Sequence, residues 1–482
     1  METRNVATGL ERELAERLLG RPRASFLTTD AYKLSMAQAG HPLREETFYL
    51  SFRKGGPHHV PFDLTAVLEH LRPAEPTNDE LRFMAEHGYG PTPAMTAALA
   101  GSLRVDAAPA GSWVLPGEPL ATLTGPSFLV SWLEPLAVAL HYPIQVATAC
   151  LRGRSTFAAT CPDEAALIEL AAASVGKQVD VELRTDDYRR QVGAAATRLL
   201  DAVDGDANRL FEVGLRGASC VEQHLLALEA CRESGLLATS NVLGAAAHDL
   251  RPVGTAGHEH QQRFGDDAEG FRALRDRRPE PPSYLLDTYD VFTRGLPAAV
   301  EVLAEDPNRA ASLRFDSGDQ EDQLAKALSL LGPKLAPLFV FEDGYDVDRT
   351  KTMEATAERL GVSRERRLYG YGSELVARPT STDLMRDRVG AVYKLCQTGS
   401  RPVMKFSDTG KESAPGQPLA LRRVGGDDDR PLGLIAQADE PVPDGYRPLA
   451  ELIDSSEPTD ERAAPSPATR ELIDDLRNRR LG

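Results

Sequence analysis

The 482-residue sequence contains no apolar run near the roughly 20 residues of a membrane helix. Cysteine is scarce. Its five copies, Cys150, Cys161, Cys220, Cys231 and Cys396, are odd in number and form no CxxC pair. That excludes a zinc ribbon or a disulfide framework as the organising principle. Positive charge is also in deficit, with 55 Lys and Arg against 72 Asp and Glu and a net charge of −17. General binding of nucleic acid or an anionic membrane surface needs the opposite sign, so neither partner is expected. Any phosphate must instead be held by a few placed Arg, Lys and backbone N–H groups. Residues 1–20 mix Arg and Glu and lack the apolar centre of a secretory signal, so a reduced, cytoplasmic protein is expected. At 41% hydrophobic and 26% charged residues, the chain reads as globular, not disordered.

The length suggests about three domains, or one barrel of ~250 residues with a smaller unit. Leu10, Leu14 and Leu18 share one face of a first helix. Phe48-Tyr49-Leu50-Ser51-Phe52 reads as a strand, and further strands are expected around Leu103–Asp106 and Leu120–Leu123, on either side of the turn at Pro116-Gly117-Glu118-Pro119. From about residue 160 the texture changes. Helical stretches at Glu164–Val175, Tyr188–Val203 and Val221–Glu233 precede or alternate with short apolar runs at Arg209–Val213, Tyr284–Leu286, Ala311–Phe315, Leu338–Phe341 and Arg367–Tyr369. Polar clusters follow these runs at Glu212, Ser240, Gly254, Asp287, Arg314, Asp343 and Gly370, at intervals of 28, 14, 33, 27, 29 and 27 residues. Most intervals fit one βα unit, and in a β/α barrel the strand ends carry the active site. After about residue 420 the cadence fades. Asp427-Asp428-Asp429 reads as a solvated loop, residues 437–469 as a loose surface wrap, and Arg470–Arg480 as a terminal helix.

Four strand-end clusters carry chemistry. Gly214-Leu215-Arg216-Gly217-Ala218-Ser219 offers a guanidinium fork beside a helix start, suited to an anion. Gly254-Thr255-Ala256-Gly257-His258-Glu259-His260 places two His near Asp249, Glu259 and Asp287, any of which would orient an imidazole. His258 and His260 lie two apart and would sit poorly as a metal pair on one helix face. Arg314-Phe315-Asp316-Ser317-Gly318-Asp319 joins a cation to carboxylates that suit sugar hydroxyls or hydrated Mg²⁺, and it is equally good helix-capping chemistry. Last, Glu342-Asp343-Gly344 and Tyr369-Gly370-Tyr371-Gly372-Ser373-Glu374 lie where barrels build phosphate sites from late strand ends.

Taken in order, these clusters resemble nicotinate phosphoribosyltransferases, within the wider group that includes nicotinamide phosphoribosyltransferase. The matching pieces are Thr29-Asp30-Ala31-Tyr32-Lys33, Phe52-Arg53-Lys54, Gly214-Leu215-Arg216, Thr239-Ser240-Asn241-Val242, Gly254 to Glu259, Leu286-Asp287-Thr288-Tyr289, Arg314 to Asp319, Gly370-Tyr371-Gly372-Ser373 and Val392-Tyr393-Lys394-Leu395, then Pro402, Lys405, Ser407, Lys411 and Pro415-Gly416. The resemblance implies an α/β fold in which an irregular β/α barrel joins an open α/β sandwich domain built from both chain ends. The expected division is residues 1–130, 131–390 and a returning segment 391–482 with an acidic tail. It implies transfer of a phosphoribosyl group from 5-phosphoribosyl 1-diphosphate to nicotinate, with ATP and Mg²⁺ as cofactors and a phosphohistidine at His258. It also implies a homodimer with shared active sites, in which Tyr32 stacks on the base, often in the partner's site. Arg216 and Arg314 would meet the base carboxylate and the diphosphate, Asp287 would orient His258, and Asp316 would hold ribose hydroxyls or Mg²⁺. Asp343, Gly344, Gly370, Gly372 and Ser373 would cradle the 5-phosphate. Two signals conflict. Arg216-Gly217 is similar to the nicotinamide branch, whereas Ser240 is similar to the nicotinate branch, since a carboxylate there would repel a carboxylated base. Nicotinamide or another aromatic base, and a non-catalytic barrel that merely binds, remain the alternatives.

Overall fold

The computed structural model describes residues 9–332, 334–380, 382–406, 413–425, 430–452, 456–458 and 462–481. Ser407, Lys411 and the Asp427-Asp428-Asp429 run fall outside them. Among the described residues, no helix is long and apolar enough to cross a membrane.

The first helix, α1 (Gly9–Leu19), buries Leu14 and Leu18 as its spacing predicts. It is followed by α2 (Ala31–Ala39), which is buried along nearly its whole length. Strands β1 (Glu45–Phe52), β2 (Arg104–Ala107) and β3 (Pro119–Pro126) form an antiparallel set with β3 in the middle. Two short helices, α3 (Ser127–Trp132) and α4 (Glu134–Ala139), are wholly buried and lead towards the barrel.

Helices α5 (Pro162–Ser174), α6 (Thr185–Asp201) and α7 (Val221–Glu233) match the helical stretches expected from the sequence. The barrel strands are β4 (Leu210–Glu212), β5 (Ala238–Thr239), β6 (Arg251–Pro252), β7 (Ser283–Leu285), β8 (Ser312–Phe315), β9 (Leu338–Phe341) and β10 (Arg367–Tyr371). Every pair is parallel, in the order β6-β5-β4-β10-β9-β8-β7. The sheet curls as a half-barrel. The interleaved helices include α8 (Val242–His248), α9 (His258–Phe264), α10 (Leu296–Glu305), α11 (Gln320–Leu331) and α12 (Val347–Arg359).

The period of two along a strand sorts the side chains. Leu313, Phe315, Phe339, Phe341, Tyr369 and Tyr371 turn outward into the core under the helices. The Phe341 ring stacks on Phe315 at 5.4 Å and on Tyr369 at 5.5 Å. Ser312, Arg314, Leu338, Val340 and Leu368 turn inward and line a cavity of about 240 Å³.

The chain then returns. β11 (Ala391–Thr398) pairs antiparallel with β1, and β12 (Arg401–Pro402) completes a five-stranded sheet of order β12-β11-β1-β3-β2. Phe48 of β1 stacks on Tyr393 of β11 at 5.0 Å, which ties the two chain ends together. The expected loose wrap over 437–469 is corrected. β13 (Pro418–Arg423), β14 (Gly433–Gln437), β15 (Tyr446–Pro448) and β16 (Ala464–Pro465) form a sheet of order β15-β13-β14-β16 over a small core of Leu421, Leu434, Ala436 and Tyr446. The terminal helix is α13 (Pro467–Leu481).

Candidate active site

A cavity of about 320 Å³ opens where the strand ends meet the sandwich. It is lined by Tyr32, Arg216, His258, Arg314, Asp316, Asp343, Gly344, Gly370, Gly372 and Ser373, so ten of the twelve site residues expected from the sequence converge there. The other two sit at its margins. Asp287 lies behind His258, and Ser240 lines the 240 Å³ cavity that meets the first at Tyr32, Arg216 and Arg314.

Local sequence explains each placement. Tyr32 stands on α2, whose start is pressed against Gly254. A Cβ at Gly254 would lie 2.5 Å from the Tyr32 nitrogen, so only glycine permits this approach. The Tyr32 hydroxyl donates to Glu134. The Arg216 guanidinium lies 5.3 Å from the Tyr32 ring centre, with Nε 3.4 Å from the buried Asp30 carboxylate. Ser240 donates to the other Asp30 oxygen at 2.6 Å. The serine is thus committed to Asp30, and Asp30 to Arg216. Sequence reasoning placed Ser240 directly against a ligand and did not find this relay.

His258 is the first residue of α9. Its Nδ1 lies 3.2 Å from the Thr288 hydroxyl and 3.9 Å from Asp287, while Nε2 lies 2.7 Å from the Lys405 ammonium and 3.6 Å from Asp316. Of the three carboxylates considered for orienting this ring, only Asp287 is near it. Asp249 caps α8 in a left-handed conformation, and Glu259 pairs with Lys33 at 3.0 Å and Arg263 at 3.4 Å. His260 donates from Nε2 to the Gly270 carbonyl at 2.9 Å and is fully buried, so it has a structural role. Arg314 donates to Thr255 at 2.7 Å, to the Ala256 carbonyl at 2.9 Å and to Asp316 at 2.5 Å. Its neighbour Glu342 lies 3.1 Å away.

At the late strand ends Asp343 adopts φ 76°, which turns the loop sharply after β9. A Cβ at Gly370 would fall 2.7 Å from Glu342 and 2.8 Å from Phe211, so the strand itself demands glycine there. Ser373 donates to Asp387 at 2.8 Å.

No protein-family model matches the chain. Over 456 residues it is 27% identical to human nicotinate phosphoribosyltransferase, covering 89% of this chain and 82% of that protein. The Bacillus subtilis protein of the same name is 27% identical over 272 residues, 54% of this chain and 52% of its own. Among solved structures, nicotinate phosphoribosyltransferase from Vibrio cholerae superposes with a TM-score of 0.59 at 17% identity, over 82% of this chain and 92% of that one. The chain is similar to nicotinate phosphoribosyltransferases in sequence over most of its length, and in fold.

The cavity gathers further cations that the motif reading did not assign. Lys33, Arg386, Lys394 and Lys405 line the same cavity as Arg216 and Arg314. Burial works against the charge on Arg314, but Asp316 and Glu342 outweigh it and hold the guanidinium firmly charged. Burial would raise the Asp316 carboxyl; Arg314, His258 and Lys405 prevail and keep it well below the usual range. The His258 ring is shifted downward, by burial first and then by Lys405, so the imidazole is neutral at pH 7. Lys394 is pushed down to about 7 by burial, with Glu134 opposing. The signal that would have found Lys394 is a charge at an inward strand position, and it emerges only when β11 is known to face the barrel. Tyr32 lines the cavity within its own chain.

Proposed function

We propose that this chain transfers the phosphoribosyl group of 5-phosphoribosyl 1-diphosphate to nicotinate, giving nicotinate mononucleotide and diphosphate. The observation that carries the reading is one cavity with a Tyr32–Arg216 end, a glycine-bearing cradle at Asp343–Gly344 and Gly370–Ser373, and a cluster of cations between them. Similarity to nicotinate phosphoribosyltransferases over most of the chain supports it.

The pyridine ring packs against Tyr32, and its carboxylate pairs with Arg216, which Asp30 holds from behind. Asp30 does not line the cavity, and the nearest lining carboxylate, Glu134, is paired with Lys33 at 2.7 Å. The 5-phosphate accepts backbone N–H groups of the late loops, and Asp316 accepts ribose hydroxyls. The bond from the sugar C1 to the diphosphate oxygen breaks as the ring nitrogen bonds to C1. Positive charge grows on the sugar and negative charge on the leaving group, where Arg314, Lys394 and Lys405 converge. Catalysis is then positioning and electrostatic stabilisation, without a protein nucleophile.

The carboxylates of Asp287 and Asp316 would hold Mg²⁺, a cation that takes oxygen ligands. Ligand atoms of His258, Asp287 and Asp316 lie within 4.8 Å of one another, and the buried Asp287 Oδ1 has no hydrogen-bond partner. When bound, the ion would neutralise diphosphate charge. ATP coupling is part of the proposal, with neutral His258 as phosphoryl acceptor and the Lys405 ammonium beside Nε2 to meet the incoming charge. A cytoplasmic homodimer with shared active sites is proposed on the resemblance alone. Incubation with γ-labelled ATP should leave acid-labile, base-stable label on the protein, absent in His258→Ala, while that variant keeps some ATP-independent transfer. Label persisting in His258→Ala would refute the coupling and leave the transfer reaction standing.

A further inference from the structure

Glu212 breaks the pattern of the barrel. Its neighbour on the same strand face is Leu210, and the equivalent outward positions of the adjoining strands hold Tyr369, Tyr371, Phe339 and Phe341. Glu212 points into this apolar layer and is fully buried. An apolar residue would serve stability there as well or better, because a buried carboxylate loses its hydration. Among the described residues its partners are not Lys or Arg. Oε1 accepts from His224 Nε2 at 3.0 Å and from the Gly214 N–H; Oε2 accepts from the Thr239 hydroxyl at 2.6 Å.

These partners belong to the segments that build the Tyr32–Arg216 end of the cavity. Gly214 begins the loop that carries Arg216. Thr239 precedes Ser240, whose N–H donates to the Glu212 carbonyl at 2.7 Å. His224, on α7, accepts from the Asn241 side-chain amide at Nδ1 at 2.8 Å, which leaves its Nε2 proton for Glu212. Asn241 caps α8 through Gly244, and around it the backbone pairs with the segment before Tyr32: Ala31 N–H to the Ser240 carbonyl at 2.7 Å and Val242 N–H to the Thr29 carbonyl at 3.0 Å. One carboxylate therefore fixes three strands of chain that carry Arg216, Ser240 and Tyr32.

We propose that Glu212 and His224 are positioning residues for the base, acting through Arg216 and Tyr32 without touching the ligand. The inference rests on the proposed base end of the cavity. Glu212→Gln keeps the volume but turns an acceptor into a donor opposite His224 or Gly214. His224→Gln removes the link to Asn241 by a second route. In diphosphate-release kinetics with nicotinate, each variant should raise KM for nicotinate about tenfold or more, the scale of one unsatisfied buried polar group, while KM for 5-phosphoribosyl 1-diphosphate changes little. The double variant should be no worse than the worse single one, since both remove the same contact. Equal loss on both substrates, or additive losses in the double variant, overturns the positioning role. So does an unchanged KM for nicotinate in His224→Gln, which carries the test if Glu212→Gln does not fold. Wild type silent with nicotinate overturns the base reading and this inference together, whereas active wild type with an unchanged KM ratio in the variants overturns this inference alone.

Discussion

Lys394 sets the pH behaviour of the site. Its folded pKa of about 7 lies far below the ordinary 10.5 because burial disfavours the ammonium more than Glu134 favours it. Between about 7 and 10.5 the unfolded chain binds the extra proton, so this group makes stability rise with pH across that window and costs stability below it. Its effect on binding has the opposite sense: the ammonium that meets an anion is present below pH 7 and lost above it. KM for the phosphoribosyl donor should rise by about tenfold between pH 6 and 8.5, the scale of one hydrogen bond to a charged group. In Lys394→Met the donor KM should be high and flat over that range. An identical pH profile in the variant would assign the titration to another group. Ser240 shows how residue-level reading falls short. Its distance from a carboxylate was argued from its own identity, yet Asp30, 210 residues away in sequence, supplies a carboxylate behind it at 2.6 Å.

The barrel strands were legible because their alternation is simple. Outward Leu, Phe and Tyr seek the helices, inward polar residues end up at the rim, and the regular intervals follow from one helix per strand. The 14-residue interval from Ser240 to Gly254 reflects a single short helix, α8, between two-residue strands. The C-terminal sheet was not legible. β14 to β16 are short and embedded in Pro-rich acidic sequence, and they are fixed by pairing, β14 and β15 with β13 and β16 with β14, more than by their own pattern. The buried chain of Glu134, Lys33 and Glu259 was equally hidden, because Lys33 meets these carboxylates at 2.7 and 3.0 Å from helices distant in sequence. At the scale of a strand, β10 makes a sharp prediction. Gly370→Ala places a methyl against Glu342 and Phe211, and overpacking of this kind costs about 1–3 kcal/mol. Denaturant unfolding should show that loss, and the donor KM should rise because the strand end carries the cradle. Full stability with unchanged donor KM would show that the strand can move aside.

The molecule as a whole carries a net charge of −17, yet it brings seven cations, Lys33, Arg216, Arg314, Arg378, Arg386, Lys394 and Lys405, to one cavity. The bulk of the protein repels polyanions in general, while the cavity sets its cations among carboxylates such as Glu134, Asp316 and Glu342 and accepts the anions that fit. Both halves of the fold contribute, since Tyr32, Lys394 and Lys405 come from the chain ends and Arg216, Arg314 and the late loops from the barrel. The central claim is that this cavity joins nicotinate to a phosphoribosyl group. Its most direct test is to incubate purified protein with 5-phosphoribosyl 1-diphosphate and Mg²⁺, with nicotinate or nicotinamide in parallel, and to follow diphosphate release and nucleotide mass. The account predicts nicotinate-dependent diphosphate and a product of the mass of nicotinate mononucleotide, a catalytic efficiency for nicotinate well above that for nicotinamide, and loss of the activity in Arg314→Ala. Diphosphate release that favours nicotinamide, or no base-dependent release at all, would contradict it.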